Sequence, residues 1–478
     1  MGDSLRQKTV KGTIWSAVGG FGVQGVSFIV TIIMARILTP EDYGLVGMLT
    51  IFIAVAQSLI DSGFSQGLIR KRDADYRDIS TVFYFNIGAA LVIYMILYMS
   101  APLIARFYGM PQLVSLTRVI SLGIVINSFA MVQRALLTIK MDFKTQALAT
   151  LSGAIVAGVV GIFMAYHGSG VWSLVYYQLI NCFITTLLLW IVSRWWPSAV
   201  FSTSSFKTLF SFGSKIAVSS VIDNIYRNIY LLVIGKWFKS STLGYYTRSQ
   251  QFGELPISFS GIIQRVSYPV LCSFQDDDVR LRELFLKFIN ISAFVTFPVM
   301  VGIVAVAEPM ILVVLGEKWR FSALLLQIMC FGLMWYPICA INQNILQVKG
   351  RSDLFLQMEI VKKIVGIAII CMTLPFGLIP LCVGQSINWM LIIAINAYYT
   401  RRVIPLGLAG QLRSLLPVLM CSLMMGGFTW LCILFIPGVL LQLVSGVVLG
   451  IAVYVILARI FLRKDFDETL SILQRRTR

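Results

Sequence analysis

Charge is scarce in this chain. Asp, Glu, Lys and Arg make up 13% of its 478 residues, and His167 is the single histidine. Soluble domains carry about a quarter charged residues, so a soluble enzyme is excluded. A disordered chain, which needs high charge and low hydrophobicity, is excluded too. One histidine cannot build a histidine metal centre, and no metal site is expected. Cys-x-x-Cys is absent. The eight cysteines, among them Cys182, Cys330, Cys371 and Cys421, all fall in apolar segments and read as small core hydrophobes. There is no Gly-x-x-x-x-Gly-Lys-[Ser/Thr] sequence, so ATP is not the direct drive and no cofactor is expected. No polar break between apolar stretches is longer than about 15 residues, which leaves no room for an extramembrane catalytic or nucleotide-binding domain.

What the chain has is apolar length. The residues AVILMFWYC make up 58% of it, and mean hydropathy is +0.84. A helix that crosses a bilayer needs about 20 apolar residues, so the composition suffices for about fourteen. Outer-membrane barrels alternate apolar and polar residues over about ten positions, and that pattern is missing. The expectation is an all-α polytopic membrane protein. Six apolar stretches lie between residues 13 and 193, six between 208 and 400, and a last pair at 411–436 and 439–462. The eleventh, near 354–374, is interrupted by Lys362 and Lys363. The polar N-terminus MGDSLRQKTVKG runs into the first stretch with no cleavage site, as in a retained helix.

The net charge of +18 would suggest nucleic acid in a soluble protein. Here it follows the loops, and no nucleic-acid partner is expected. With the N-terminus cytoplasmic, about 29 basic residues fall on the cytoplasmic side and seven opposite. Basic residues collect in cytoplasmic loops, so both termini are expected in the cytoplasm.

The first half repeats in the second. ARILTPEDYGLVGML (35–49) parallels GKWFKSSTLGYYTRS (235–249), placing Gly44 against Gly244. QRALLTIKMDF (133–143) parallels NQNILQVKGRSD (342–353), placing Lys140 against Lys349. The expected organisation is a six-helix bundle over 1–200, its repeat over 201–405, and two further helices with a basic tail over 406–478. An even helix count per repeat relates the halves by an axis along the membrane normal.

Charges inside spanning helices point to function, since each costs about 2.5–3.5 kcal/mol at the bilayer centre. Asp61, Asp223, Arg227, Glu254 and Arg265 qualify. Asp223 and Arg227 stand one turn apart on one face. They read either as a self-neutralised pair or as a cavity-facing coupling pair in which Arg227 meets an anionic headgroup. Arg265 reads equally as snorkelling or cavity-lining. Asp61 reads as a bond between helices, and Pro256 after Glu254 as a kink. The acidic run QDDDVRLRE (275–283) reads as a solvated loop capping a helix rather than a metal site. Gln24, Asn127, Gln133 and Gln343 are among ten mid-helix amides, which suit a wet, sugar-compatible cavity. Trp195–Trp196 and Tyr245–Tyr246 read as interface anchors.

KTVKGTIWSAVGGFGVQGVSFIVTIIMARILTPEDYGLVGM, DSGFSQGLIRKR and LGYYTRSQQFGELPISFSGIIQRVSYPVLCSFQDD resemble the polysaccharide-exporter (Wzx-type flippase) family, in its colanic-acid-exporter-like subgroup. FPVMVGIVAVAEPMILVVLGEKW resembles its ninth helix with flanks, and the likeness covers nearly the whole chain. It implies two six-helix bundles in a V plus two helices, in the bacterial inner membrane. It implies a non-enzymatic flippase moving undecaprenyl-diphosphate-linked oligosaccharide to the periplasmic leaflet for lipopolysaccharide, capsule or exopolysaccharide synthesis. Membrane lipid and the polysaccharide polymerase machinery are the partners expected with it. Arg227 and Arg265 would hold the diphosphate, and Gln24, Asn127, Gln133 and Gln343 the glycan. Tyr230 stands where the subgroup would lead one to expect an acid, leaving Asp223 as the nearest. The rival is a cation-coupled multidrug exporter of the same superfamily. It would favour acidic and aromatic cavity groups, and the first bundle has little buried acid besides Asp61. A membrane glycosyltransferase would need a large periplasmic loop, which is absent.

Overall fold

The computed structural model describes residues 2–60, 67–68, 75–463 and 466–467. Asp61, Arg70, Lys71 and Arg72 lie outside the described residues, as does most of the C-terminal tail. Every regular element among the described residues is a helix. In order these are α1 (Gly2–Ile37), α2 (Pro40–Ile60), α3 (Tyr76–Tyr108), α4 (Leu113–Ile120), α5 (Leu122–Ile139), α6 (Phe143–Tyr166) and α7 (Val171–Ser193). Then come α8 (Thr203–Arg227), α9 (Ile229–Trp237), α10 (Ser240–Cys272), α11 (Asp278–Val314), α12 (Arg320–Leu333) and α13 (Tyr336–Val348). The chain closes with α14 (Ser352–Thr373), α15 (Leu378–Arg401), α16 (Leu408–Leu434) and α17 (Val439–Phe461).

Short polar signals set the helix ends. Thr39 and Asp42 bond reciprocally before α2, Thr39 N–H to Asp42 Oδ2 at 2.9 Å and Asp42 N–H to Thr39 Oγ1 at 3.3 Å. Asp75 and Asp78 form a capping box on α3, and Gly109 stops that helix at a φ of 71°. Asp277 accepts from the Arg280 amide at 3.0 Å and starts α11, so the acidic run acts as a helix cap. The Arg351 side chain binds Asp353 and holds its carboxyl down to about 2.

Eleven helical stretches are long and apolar enough to cross a membrane. Among the described residues, α8 with α9, α10 and α14 fall outside that set. These three carry Asp223, Arg227, Glu254 and Lys362, the charges that lower their hydropathy. α10 runs on through Pro256 and Pro269 as one helix.

The chain divides into two compact units, Met1–Gly244 and Tyr245–Arg478. In the first, α6 packs between α1 and α7 along a glycine face. A Cβ on Gly158 would stand 2.4 Å from Val30, and one on Gly153 would stand 2.2 Å from Thr185 Oγ1. Small residues let helices approach closely where no hydrophobic drive separates protein from lipid. In the second, α11 is the central helix, packed by α12, α13, α16 and α17. Tyr454 on α17 donates to the Phe294 carbonyl on α11 at 2.7 Å, and Ser414 on α16 bonds Asn290 at 2.7 Å. The last two helices are therefore bonded into this unit.

Several side chains expected at interfaces are core. Trp195 is buried against Phe83 and Val132, and Tyr246 is buried with its hydroxyl on Gln385 at 3.1 Å. Trp196 is 71% exposed. Cys330, Cys339, Cys382 and Cys421 are buried as small hydrophobes, whereas Cys371 is exposed on α14.

The repeated motif has a structural counterpart inside the first unit. A Cβ on Gly44 would lie 1.8 Å from the Ser240 carbonyl oxygen, and one on Gly244 would lie 1.8 Å from that of Pro40. The two helix starts thus meet backbone to backbone, and each requires the other's glycine. Gly44→Ala and Gly244→Ala should each sharply lower folded yield and Tm of the purified protein. Gly20→Ala and Gly25→Ala, with no atom within 4 Å, should match or exceed the parent.

Candidate functional site

The end of α8, SSVIDNIYR (219–227), is a polar stretch of helix in the first unit. Asn224 fixes its register. Its amide donates to Ser58 Oγ on α2 at 2.6 Å and to the Ser220 carbonyl at 3.0 Å. That bond seats one side of α8 on α2. Asp223 and Arg227 lie on the neighbouring side, one turn apart, and both are exposed. Elsewhere Arg320 pairs with Glu308 and Glu317, Lys349 with Asp278, Arg351 with Asp353 and Lys362 with Glu359. Tyr230 follows on α9 and is buried. The Arg265 side chain lies outside the described residues; its backbone belongs to α10. Glu254 accepts from Gln250 at 2.8 Å, within the same helix.

Gln24 lines a pocket of about 380 Å³ between α1 and α6, with Gly19, Gly20, Phe143, Gln146 and Thr150. The Gln146 amide donates to Thr138 Oγ1 at 3.1 Å. A Cβ on Gly20 would meet nothing within 4 Å, so the wall there is open. Asn127 is half-buried on α5. Gln133, also on α5, is fully buried. In the orientation that satisfies both its ends, its amide donates to the Phe129 carbonyl and its oxygen accepts from Trp190 Nε1 on α7 at 3.2 Å. Gln133 therefore sits in the α5–α7 packing, away from any open wall.

In the second unit Gln343 on α13 is half-buried and donates to Glu359 Oε1 on α14 at 3.1 Å. The same oxygen pairs with Lys362. One residue earlier, Asn342 is fully buried and exchanges two amide bonds with Gln411 on α16, at 3.0 and 3.1 Å. Thr400 on α15 donates to Asn342 Oδ1 at 3.0 Å. Of the polar residues that draw these helices together, Asn342 was visible in the sequence as one amide among ten. Gln411 and Glu359 were passed over. Lys362, which interrupts the eleventh apolar stretch in sequence, is 5% exposed inside α14. The readable signal was Glu-x-x-Lys at helical spacing within an apolar helix.

No group of three or more His, Cys, Asp or Glu side chains that could hold a metal exists among the described residues. His167 caps α6 and its Nδ1 lies 2.8 Å from the Phe163 carbonyl. The chemistry on offer is recognition: exposed charge on α8, amides at Gln24 and Gln343.

The Asn342–Gln411 bond yields a thermodynamic cycle. Asn342→Leu or Gln411→Leu leaves a buried amide unmatched and should cost about 1–3 kcal/mol each. Asn342→Leu with Gln411→Leu should cost less than the sum, because both partners become apolar. Thermal unfolding of the purified variants checks this.

Comparison with known proteins places the chain. The profile of a family described as "Polysaccharide biosynthesis protein" matches residues 33–324. The lipopolysaccharide biosynthesis protein WzxC of Escherichia coli (strain K12) is 24% identical over 396 residues, 82% of this chain and 80% of WzxC. The succinoglycan biosynthesis transport protein ExoT of Rhizobium meliloti (strain 1021) is 23% identical over 470 residues, 96% of this chain and 94% of ExoT. The lipid II flippase MurJ, in an inward closed conformation, superposes with a TM-score of 0.77 at 17% identity, covering 94% of this chain and 99% of MurJ. The fold is thus that of a multi-pass membrane transporter, and the chain belongs to the polysaccharide biosynthesis protein family.

Proposed function

We propose that this protein is a flippase that carries undecaprenyl-diphosphate-linked oligosaccharide from the cytoplasmic to the periplasmic leaflet. The product feeds surface polysaccharide synthesis: lipopolysaccharide O-antigen, capsule or exopolysaccharide. The protein acts without catalysis, in the bacterial inner membrane, with both termini cytoplasmic and fourteen helices crossing it. Residues 1–200 and 201–405 are the two transport repeats, and 406–478 is the appended pair with its tail. The polymerase machinery takes the flipped product.

The observation that carries this reading is the exposed Asp223–Arg227 face on α8, in a chain with charge on only 13% of its residues. A charge facing hydrocarbon costs several kcal/mol, so an exposed guanidinium on a helix of this transporter suits a polar cavity and an anionic substrate. The glycan and diphosphate are too polar to cross hydrocarbon unaided. A guanidinium gives phosphate a forked, charge-assisted contact. Arg227 supplies that contact in the first unit and Arg265 in the second, with Asp223 orienting Arg227. Gln24 serves the glycan from its pocket, with Asn127 and Gln343. Gln133 joins them only when the α5–α7 packing opens. Alternating access of the two repeats then presents the headgroup to each side in turn. The names of the relatives support the same reading: one acts in lipopolysaccharide biosynthesis, one is a succinoglycan transport protein, and the fold neighbour flips lipid II.

Arg227→Ala should lower export of the surface glycan about 10- to 100-fold at unchanged expression, the loss expected for one charged hydrogen-bonding contact. Arg227→Lys should recover part of it, since lysine keeps the charge but not the fork. Glycan labelling in a deletion strain carrying each variant measures this. Full export by Arg227→Ala together with Arg265→Ala contradicts the assignment.

A further inference from the structure

The first unit holds an arginine within a candidate span that no transport step above uses. α3 and residues 113–139 are both long and apolar enough to cross a membrane. Gly109, at a φ of 71°, turns the chain between them, and α4 packs back on α3. Arg118 lies ten residues past Tyr108, and Tyr98 ten residues before it. Their side chains meet: the guanidinium carbon of Arg118 stands 4.3 Å from the centre of the Tyr98 ring. The Tyr94 ring, one turn along α3, follows at 6.0 Å.

Among the described residues this cation has no acid beside it. From residue 79 to residue 141 the chain contains no Asp or Glu, which covers α4, α5 and all of α3 beyond its first turn. α7, also packed on α4, contains none. α2 brings Glu41 and Asp42 in its first turn; Asp42 is bonded to Thr39, and neither acid pairs with Arg118. A guanidinium carries five N–H donors. Those of Arg118 meet no acceptor among the described residues, and its Nε is buried. Attraction to the Tyr98 face holds the group in place but leaves the donors in the guanidinium plane unmatched.

Both spans exceed the ~30 Å hydrocarbon core, α3 by about 19 Å and residues 113–139 by about 10 Å. Arg118 stands about 7.5 Å from the start of its span, so the hydrocarbon edge, where lipid phosphates lie, is within reach of its side chain. Leu91 and Met95 are exposed on α3 and share a face with Tyr94 and Tyr98. They form an apolar track that leads from the cation into the span. A cation at the head of an apolar track is complementary to a phospholipid; free phosphate would use the cation and leave the track bare. We propose that Arg118 and Tyr98 form a binding site for the phosphate of a membrane lipid. The guanidinium fork takes the phosphate. Tyr98 supports the fork from beneath, and an acyl chain lies along Tyr94, Met95 and Leu91. The bound lipid supplies the anion that the protein does not, and it ties α4 to α3. The inference does not rest on the flippase reading, because its test reads lipid binding and not transport.

The test uses the full-length protein, purified in detergent, with phosphatidylglycerol titrated in and the first bound lipid followed by native mass spectrometry. Diacylglycerol supplies the tails without the phosphate, and glycerol phosphate supplies the phosphate without the tails. The parent should bind phosphatidylglycerol saturably and neither of the other two at matched concentration. Arg118→Gln should weaken binding about 10-fold or more, as expected for loss of a charge-assisted contact. Arg118→Lys should weaken it less, since lysine keeps the charge but not the fork. Tyr98→Leu should weaken it about 2- to 5-fold. Arg134→Gln, which removes another arginine of the same unit, should bind as the parent does. Unchanged binding by Arg118→Gln, an equal loss in Arg134→Gln, or diacylglycerol binding as tight as that of phosphatidylglycerol overturns the proposal. Glycerol phosphate binding as tightly would show an adventitious ion only and overturns it too. If Arg118→Gln does not fold, Arg118→Lys and Tyr98→Leu carry the test, and unchanged binding by both overturns the proposal.

Discussion

Hydrocarbon offers no water, so every hydrogen-bonding side chain on these helices must find a partner in protein or face an opening. The interior follows from that constraint. Asn342, Gln411 and Thr400 close on one another across α13, α15 and α16. Gln133 is matched by Trp190 and its own helix. Glu359 is matched by Lys362 and Gln343. Each match fixes a helix against its neighbour at one rotation and one depth, which apolar packing alone specifies weakly. Against that background the exposed Asp223 and Arg227 are informative. Lys362 is buried in a pair with Glu359, whereas Asp223 and Arg227 are exposed on α8.

Close backbone approach is the second constraint. The TPEDYG and SSTLGYY segments occupy matching places in the sequence repeat, and their glycines press on each other's helix starts. The two segments therefore meet as partners. The side-chain-free face at Gly44 and at Gly244 is what the fit requires. Glycines on α6 do comparable work between α1 and α7, as Gly426 does against Val301 in the second unit.

The fold class could be read from composition alone, because a chain this apolar has few ways to satisfy its backbone. The matching places of Gly44 and Gly244 could be read from the two similar segments, and the structure brings these two glycines together. The polar partnerships could not. Asn127, Gln133, Asn342 and Gln343 look alike in sequence, yet they end half-buried, fully matched, locked to Gln411 and bound to Glu359 respectively. One helical residue is a rotation of about 100°, so neighbours such as Asn342 and Gln343 face different helices, and which helix is there depends on the fold. Trp195 and Tyr246 illustrate the same point, since a ring at a helix end serves an interface or a core according to what packs beside it. Lys362 interrupts an apolar stretch in the sequence, and the Glu359 carboxylate paired with it lets the helix run on through that position.

The account depends on the substrate being a lipid-linked glycan that changes leaflet. The most direct measurement deletes the gene and assays two pools, surface polysaccharide and undecaprenyl-linked intermediates, with the latter assigned to a leaflet by access to a membrane-impermeant glycosidase. Loss of one surface polysaccharide, with its completed repeat unit held on the cytoplasmic face, is the predicted result. Unchanged surface glycan with new sensitivity to cationic drugs would contradict it and assign the fold to drug export.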